Sequence, residues 1–318
     1  MSISLGVVMD PIQNITVEKD STFAMLLEAQ RRGWDIWYME QSGLFLEGDR
    51  TCGQMQQLQV KDALSHWHSL SSARTAPLDE LDVILMRIDP PFDMEYIYTT
   101  YLLEQAEQHG TLVVNRPQSL RDANEKLFTA RFPQCCAPTL VARSHRRILE
   151  FLEVHHDIIL KPLGGMGGAS IFRVRLGDPN TNVILETLTQ HDTQFTMAQR
   201  FVPEISAGDK RILMVDGEPV PYALARIPKP GETRGNLAAG GTGQGQPLSE
   251  NDYRIAHEVG PVLRERGILL AGLDVIGDYL TEINITSPTC IRELDRQFNL
   301  NISATLMDCI EEKLRQHA

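Results

Sequence analysis

Lys161-Pro162-Leu163-Gly164-Gly165-Met166-Gly167-Gly168-Ala169-Ser170 is the stretch on which the fold turns. Its four glycines let the backbone aim N–H groups at a polyphosphate, and Lys161 adds a point charge. A Walker loop would end in Gly-Lys-Ser/Thr, whereas this run ends in Gly-Ala-Ser. The dinucleotide fingerprint would need its last glycine at Ser170 and a helix afterwards. Instead the loop lies between two β-rich runs, Ile158–Leu160 and Ile171–Val174. The expectation is strand–loop–strand, a flap that folds over phosphates.

Upstream, strands are expected at Ile3–Met9, Asp35–Met39, Val83–Arg87 and Leu112–Val114. Between them lie helical runs, Thr22–Arg32 and Met94–Gln108, the first capped by Asp20 and Ser21 and stopped by Gly33. Strands separated by helices imply an α/β fold with a doubly wound parallel sheet. Ligands in such sheets sit beyond the carboxyl ends of the strands, here Met9-Asp10 and Arg87-Ile88-Asp89. A further helix is expected near Ser119–Arg131. Residues 40–80 show no clear period and receive no assignment.

Downstream, Phe195–Val202 and Arg211–Val215 read as strands, Glu250–Arg266 and Ala304–Gln316 as helices. Residues 228–247 hold six glycines and little apolar content, which predicts a long mobile loop with neither helix nor strand. A hairpin is expected around Gly277-Asp278. Glu282 and Asn284, two apart on its second strand, share a face. A carboxylate and an amide there offer Mg²⁺ the hard oxygens it needs beside phosphate and water. Asp274 joins them only if the hairpin has an odd turn or a bulge, so the two-residue turn that Gly-Asp suggests is not expected. Gln199-Arg200-Phe201-Val202 has the makings of an adenine slot.

The 318 residues carry a net charge of −12, which excludes nucleic acid and anionic membrane surfaces as natural partners. No apolar stretch approaches a membrane span of ~20 residues. No charged leader precedes Ile3–Met9, and five cysteines, an odd count, fit reduced thiols in a cytoplasmic protein. Against this acidic background Lys126, Lys161, Lys210, Arg211, Arg226, Arg234 and Arg292 gather near the loops, as the joining of two anions would require. His66-Trp67-His68 and His155-His156 lack partners at zinc-site spacing. Cys290 lacks a paired His and reads as a packing or lining residue.

With these motifs the sequence resembles the ATP-grasp superfamily and, within it, the bacterial glutathione synthetases. The likeness runs through Gly6–Pro11, Asp82–Arg87, Asp89–Asp93, Asn115–Asp122, Asn124-Glu125-Lys126, the flap, Asp216–Pro221, Gly231–Gly241 and Thr281–Cys290. The flap and metal hairpin are superfamily-wide, whereas the Arg234 loop and the Thr286-Ser287-Pro288-Thr289-Cys290 run are narrower. Gly164 departs from the acid expected there, which loosens the flap slightly.

The resemblance implies an N-terminal pre-ATP-grasp domain over 1–122. An ATP-grasp α+β domain over 123–318 follows, with a lid lobe at 123–202 and a catalytic lobe at 203–318 that carries the loop 228–247. It implies ATP as co-substrate, contacted by Lys126, Lys161, Gly167, Gly168, Ala169 and Ser170. Gln199, Phe201 and Val202 would line the adenine and Asp209 would approach the ribose. Asp274, Glu282 and Asn284 would hold Mg²⁺ or Mn²⁺, Arg211, Arg226 and Arg234 would face the reacting anions, and Asp10 and Arg87 would serve γ-glutamylcysteine. The implied reaction joins that dipeptide to glycine through an acyl phosphate in a cytoplasmic homotetramer. The alternatives are another ATP-grasp carboxylate–amine ligase or a non-catalytic nucleotide-binding regulator.

Overall fold

Three sheets form in the computed structural model, which describes residues 2–165, 168–229, 235 and 240–317. The first third runs β1 (Ser4–Met9), α1 (Ser21–Arg31), β2 (Asp35–Met39), β3 (Leu44–Glu47), β4 (Arg50–Val60), β5 (His68–Leu70), β6 (Arg74–Pro77), β7 (Val83–Arg87), α2 (Met94–Gln108), β8 (Leu112–Val114) and α3 (Pro117–Asp122). Its centre is the expected parallel sheet, in the order β2-β1-β7-β8. Asp20 caps α1, accepting from the Phe23 N–H at 2.6 Å. Residues 40–80, left unassigned from sequence, add β3 to β6 as an antiparallel extension built on β4 beside β2.

The helix expected at Ser119–Arg131 is split. α3 ends at Asp122, and a 3₁₀ turn covers Leu127–Arg131. The Asn124 side chain accepts from the Lys126 and Leu127 N–H groups at 3.2 and 2.9 Å, taking donors a continuous helix would use.

The second sheet comprises β9 (Thr139–Ala142), α4 (His145–His155), β10 (Asp157–Pro162), β11 (Phe172–Arg175), α5 (Thr181–Thr189) and β12 (Thr196–Arg200). Its strands are antiparallel in the order β11-β10-β12-β9, so the glycine flap joins neighbours β10 and β11.

The third comprises β13 (Asp209–Val215), β14 (Glu218–Ile227), β15 (Thr242–Pro247), α6 (Glu250–Glu265), β16 (Leu270–Ile276), β17 (Tyr279–Asn284), α7 (Ile291–Phe298) and α8 (Ile302–His317). Its order is β15-β14-β13-β16-β17. Here the expectation of a loop over 228–247 fails at its end, because residues 242–247 form β15 along β14. A glycine there serves close approach. A Cβ on Gly245 would come within 2.3 Å of the Phe298 ring, and its N–H donates to Gln297 Oε1 at 2.7 Å.

The core crosses from the first sheet to the third. Phe23 and Leu26 of α1 pack with Leu306, Met307 and Ile310 of α8 in one buried cluster. Fully burying each such side chain is worth roughly 1.5–3 kcal/mol. Asn115, just past β8, donates to Leu270 O and Ile285 O at 2.7 and 2.6 Å and accepts from the Leu270 N–H at 3.0 Å. These ties bring the carboxyl ends of β1 and β7 against residues 286–290. Among the described residues no helix is long and apolar enough to cross a membrane.

Candidate active site

Strand pairing puts five charged residues of the third sheet on one face, whereas Lys210 points to the other and bonds Asp252 of α6. Arg226 opposes Asp209, Arg211 opposes Asp274, Asp274 opposes Glu282, and Gly272 opposes Asn284. The Asp274–Glu282 pairing depends on the register shift between Asp274 and Val275, which leaves Thr281 as the extra residue. Of the two expected alternatives, an odd turn or a bulge, the bulge is present. The expectation against a two-residue turn is corrected, since Ile276 pairs with Tyr279 across Gly277-Asp278 and Gly277 takes a positive φ of 56°. The bulge alone restores the common face.

On that face lies a compact arginine layer. Arg211 Nε and Nη2 donate to Asp274 Oδ1 and Oδ2 at 2.5 and 3.1 Å. Arg226 Nη2 lies 2.8 Å from Asp274 Oδ2 and also bonds Asp209 Oδ2. Burial raises the Asp274 pKa, but the two guanidiniums overcome it and hold the carboxyl well below its usual range. Asp209 behaves oppositely. Burial, with Asp274 and Glu282 nearby, outweighs Arg226 and pushes it up to about 7. Its Oδ1 is buried without a partner.

A looser lysine layer faces it. Lys126 Nζ bonds the Glu125 carboxylate, donates to Gly165 O of the flap at 2.6 Å, and lies 3.6 Å from Glu282. Lys161 Nζ lies 3.8 Å from Glu282 and donates to the bulged Thr281 carbonyl at 3.3 Å. Burial lowers the Lys161 pKa. In Lys126 the two glutamates outweigh burial and raise it. Burial and Glu282 raise Glu125. Glu125 was not singled out from sequence; a carboxylate beside a lysine ordinarily reads as solvated surface.

The two layers line one cavity of about 300 Å³. Its wall takes Ile159, Gln199, Phe201 and Val202 from the second sheet and the segment after β12. The lysine layer and flap give it Lys126, Lys161, Gly165, Gly168 and Ala169. Arg211, Arg226, Asp89 and the run Thr286–Cys290 come from the third sheet and the segments that follow β7 and β17. Gln199 Nε2 donates to Thr139 Oγ1 at 3.0 Å. Cys290, expected as a packing or lining residue, is buried in the core and also lines the cavity.

Asp10 and Arg87 are not on the cavity wall among the described residues. Asp10 Oδ2 accepts from the Asp89 N–H at 2.9 Å, and Asp89 Oδ1 accepts from Ser287 Oγ at 2.5 Å. Arg87 is buried and braces the wall from behind, donating to Thr22 Oγ1 and Pro288 O, each at 3.0 Å. Ser170 is exposed with φ at 58° and is not part of the wall. Gly167 and Arg234 lie outside the described residues.

The donor set suits a hard divalent cation held partly by phosphate. Glu282 is partly exposed and only loosely paired, and Asn284 Nδ2 donates to Gly272 O at 3.4 Å, leaving its amide oxygen available. Asp274 has both oxygens bonded to arginines, with Oδ1 accepting only one of these bonds and so keeping a lone pair for a cation. No group of three His, Cys, Asp or Glu side chains forms a closed cage among the described residues. Mg²⁺ bound through one or two protein carboxylates with phosphate does not require one.

The family models for the N-terminal domain and the ATP-grasp domain of prokaryotic glutathione synthetase match residues 3–121 and 125–299. The glutathione synthetase of Pseudomonas aeruginosa is 64% identical over 314 residues, covering 99% of each chain. That of Vibrio vulnificus strain YJ016 is 59% identical over 318 residues, covering 100% of each. That of Escherichia coli K12 is 59% identical over 314 residues, again covering 99% of each. Among solved structures, D-cycloserine synthetase DcsG aligns with a TM-score of 0.66 at 14% identity, covering 98% of this chain and 100% of that one. The ATP-grasp ligase PsnB, complexed with minimal precursor, Mg and ADP, aligns at 0.61 and 14%, covering 98% of each chain. These structures share the fold.

Proposed function

The chain belongs to the prokaryotic glutathione synthetase family, and from that premise we propose that it joins γ-glutamylcysteine to glycine with ATP, releasing glutathione, ADP and phosphate. The observation that carries this reading is the meeting of a glycine flap, two buried lysines and a fixed arginine layer around one cavity. A carboxylate is a poor electrophile, so the γ-phosphoryl group passes to the cysteinyl carboxylate and ADP leaves. The amine of glycine attacks the acyl carbon, the C–N bond forms, and phosphate departs with the electrons of the broken C–O bond. No protein nucleophile is required, because positioning and charge stabilisation suffice.

Lys126 and Lys161 hold the phosphates, and Gly167, Gly168, Ala169 and Ser170 close over them with backbone N–H groups. Gln199, Phe201 and Val202 receive the base, with Asp209 towards the ribose. Arg211 and Arg226 keep donors beyond those bonded to Asp274 and direct them at the reacting carboxylate and phosphate; Arg234 joins them. Glu282 and Asn284, with Asp274, hold Mg²⁺, for which Mn²⁺ substitutes. Bound there, the ion supplies Lewis-acid stabilisation of the transferring phosphoryl group. Asp10 and Arg87 shape the dipeptide end by bracing Asp89 and the 286–290 run.

The N-terminal unit 1–122 and the two lobes 123–202 and 203–318 divide these tasks. The assembly is a cytoplasmic homotetramer, which light scattering tests as four times 35.7 kDa. Steady-state ADP release with γ-glutamylcysteine, glycine or the divalent ion omitted in turn tests the chemistry. Turnover that ignores the omission of glycine sinks the proposal.

A further inference from the structure

The Gln199–Val202 part of the cavity wall is supported by residues outside it. Phe201 lines the cavity. The Arg173 guanidinium lies 3.5 Å from the centre of the Phe201 ring. Arg173 is not itself on the cavity wall, and its guanidinium covers one face of that ring. Asp157 grips this guanidinium in a fork: Nε donates to Oδ1 at 2.9 Å and Nη2 to Oδ2 at 2.6 Å. The backbone carbonyl of Asp157 also accepts from the Phe201 N–H at 2.9 Å. Asp157 thus fixes Phe201 twice, through its main chain and through the arginine stacked on the ring. Arg173 stands on β11, the strand that leaves the flap, at the edge of its sheet.

We propose that Asp157 and Arg173 are positioning residues for nucleotide, holding Phe201 as the platform on which the base rests and joining that platform to the root of the flap. The inference rests on the reading of the Gln199–Val202 end as the base site. An ordinary ion pair this exposed, with side chains 26% and 29% accessible, would matter little to substrates or stability. The stacking geometry makes the difference, because a guanidinium over a ring face is attracted by the ring's quadrupole and restricts its rotation.

The test compares two inhibitors of the steady-state reaction, ADP and inorganic tripolyphosphate, which offers phosphates without a base. Arg173→Ala is expected to weaken ADP inhibition and raise the KM for ATP by about tenfold. It should leave kcat within about twofold, with unchanged tripolyphosphate inhibition and unchanged KM for glycine. Arg173→Lys keeps the charge without the plane and should recover less than half of the loss. Asp157→Asn should show the same selectivity at about threefold, and with Arg173→Lys it carries the test if Arg173→Ala does not fold. Equal weakening of ADP and tripolyphosphate, or no change in either, overturns the proposal. Wild-type protein indifferent to ADP would instead strike the nucleotide reading of the cavity.

Discussion

The arginine layer and the lysine layer carry the same formal charges, two cations against two carboxylates, yet they are built to opposite ends. Arg211, Arg226 and Asp274 meet at 2.5 and 2.8 Å with side chains at most 7% exposed. Around the equally buried Lys126 and Lys161 the carboxylates are the exposed partners: Glu282 stands off at 3.6 and 3.8 Å and is 19% exposed, and Glu125, bonded closely to Lys126, is 22% exposed. Short contacts in a dry place fix geometry, and opening one leaves a stranded charge. Longer contacts near water exchange at little cost, which a site needs where phosphates and a metal ion arrive and leave. The same ion types therefore serve as scaffold in one layer and as exchangeable ligand in the other.

Deleting one member of each layer should separate these roles most sharply. Arg226→Ala removes a partner from both Asp209 and Asp274 and should cost about 3–5 kcal/mol in denaturant unfolding. Lys161→Met, which keeps the apolar stem and gives up only contacts of 3.3 and 3.8 Å, should change stability by less than about 1.5 kcal/mol while lowering turnover at least about a hundredfold. If the two substitutions destabilise equally, the layers do not differ as argued.

Glu282→Gln preserves shape and removes the charge proposed for the metal. Turnover should fall by roughly 10²–10³-fold with little change in melting temperature. The loss should persist across a wide range of divalent-ion concentration. Near-normal turnover would take the loose layer out of the chemistry.

Which parts of this contrast were readable from sequence follows from what each part depends on. The parallel strands were legible because β1 and β7 are near-continuous apolar runs ended by Asp and Pro. That the hairpin needs an odd turn or a bulge is legible, because nothing else brings Asp274 opposite Glu282; which of the two occurs is not. By contrast β4, with the sequence Arg-Thr-Cys-Gly-Gln-Met-Gln-Gln-Leu-Gln-Val, alternates in burial but offers glutamines where a strand signal wants β-branched residues. β15 reads as loop in the sequence because its glycines answer to distant neighbours, Gly245 to Phe298 and Gly243 to Leu224, that no local pattern reveals. The site was read as a set of residue types. The pairing of Arg211 and Arg226 with Asp274, and the place of Arg87 behind the wall, depend on distances between chain segments far apart in sequence.

Acidity offers a gentler probe of the tight layer. Asp209 has a folded pKa raised to about 7, against an ordinary carboxylate near 3.9 in the unfolded chain. Between those values the folded state binds a proton that the unfolded state has released. Its contribution to stability is complete below about pH 4 and is lost as pH rises through about 7. Unfolding free energy of the metal-free protein should therefore fall across that window, less steeply in Asp209→Asn. Saturating Mg²⁺ should flatten the wild-type slope, because Asp274 and Glu282, which help to raise Asp209, would be screened. Parallel slopes for the two proteins would show that Asp209 is not the titrating group.

The smallest expected effect tests how rigid the tight layer is. Gly272 faces Asn284 across the hairpin, and Arg211 lies directly over it. A Cβ at position 272 would meet Arg211 Cδ at 2.8 Å, Nε at 3.1 Å and Nη1 at 3.2 Å. Glycine is needed there for the guanidinium's approach, since no positive φ is involved. The far end of an arginine can yield, so Gly272→Ala should cost only about 1 kcal/mol. The displaced guanidinium would loosen its fork on Asp274, and the KM for the dipeptide should rise several-fold while that for ATP stays put. A variant that loses more affinity for ATP than for dipeptide would mean that the arginine layer also positions the nucleotide, and the division between fixed and exchangeable charge would have to be redrawn.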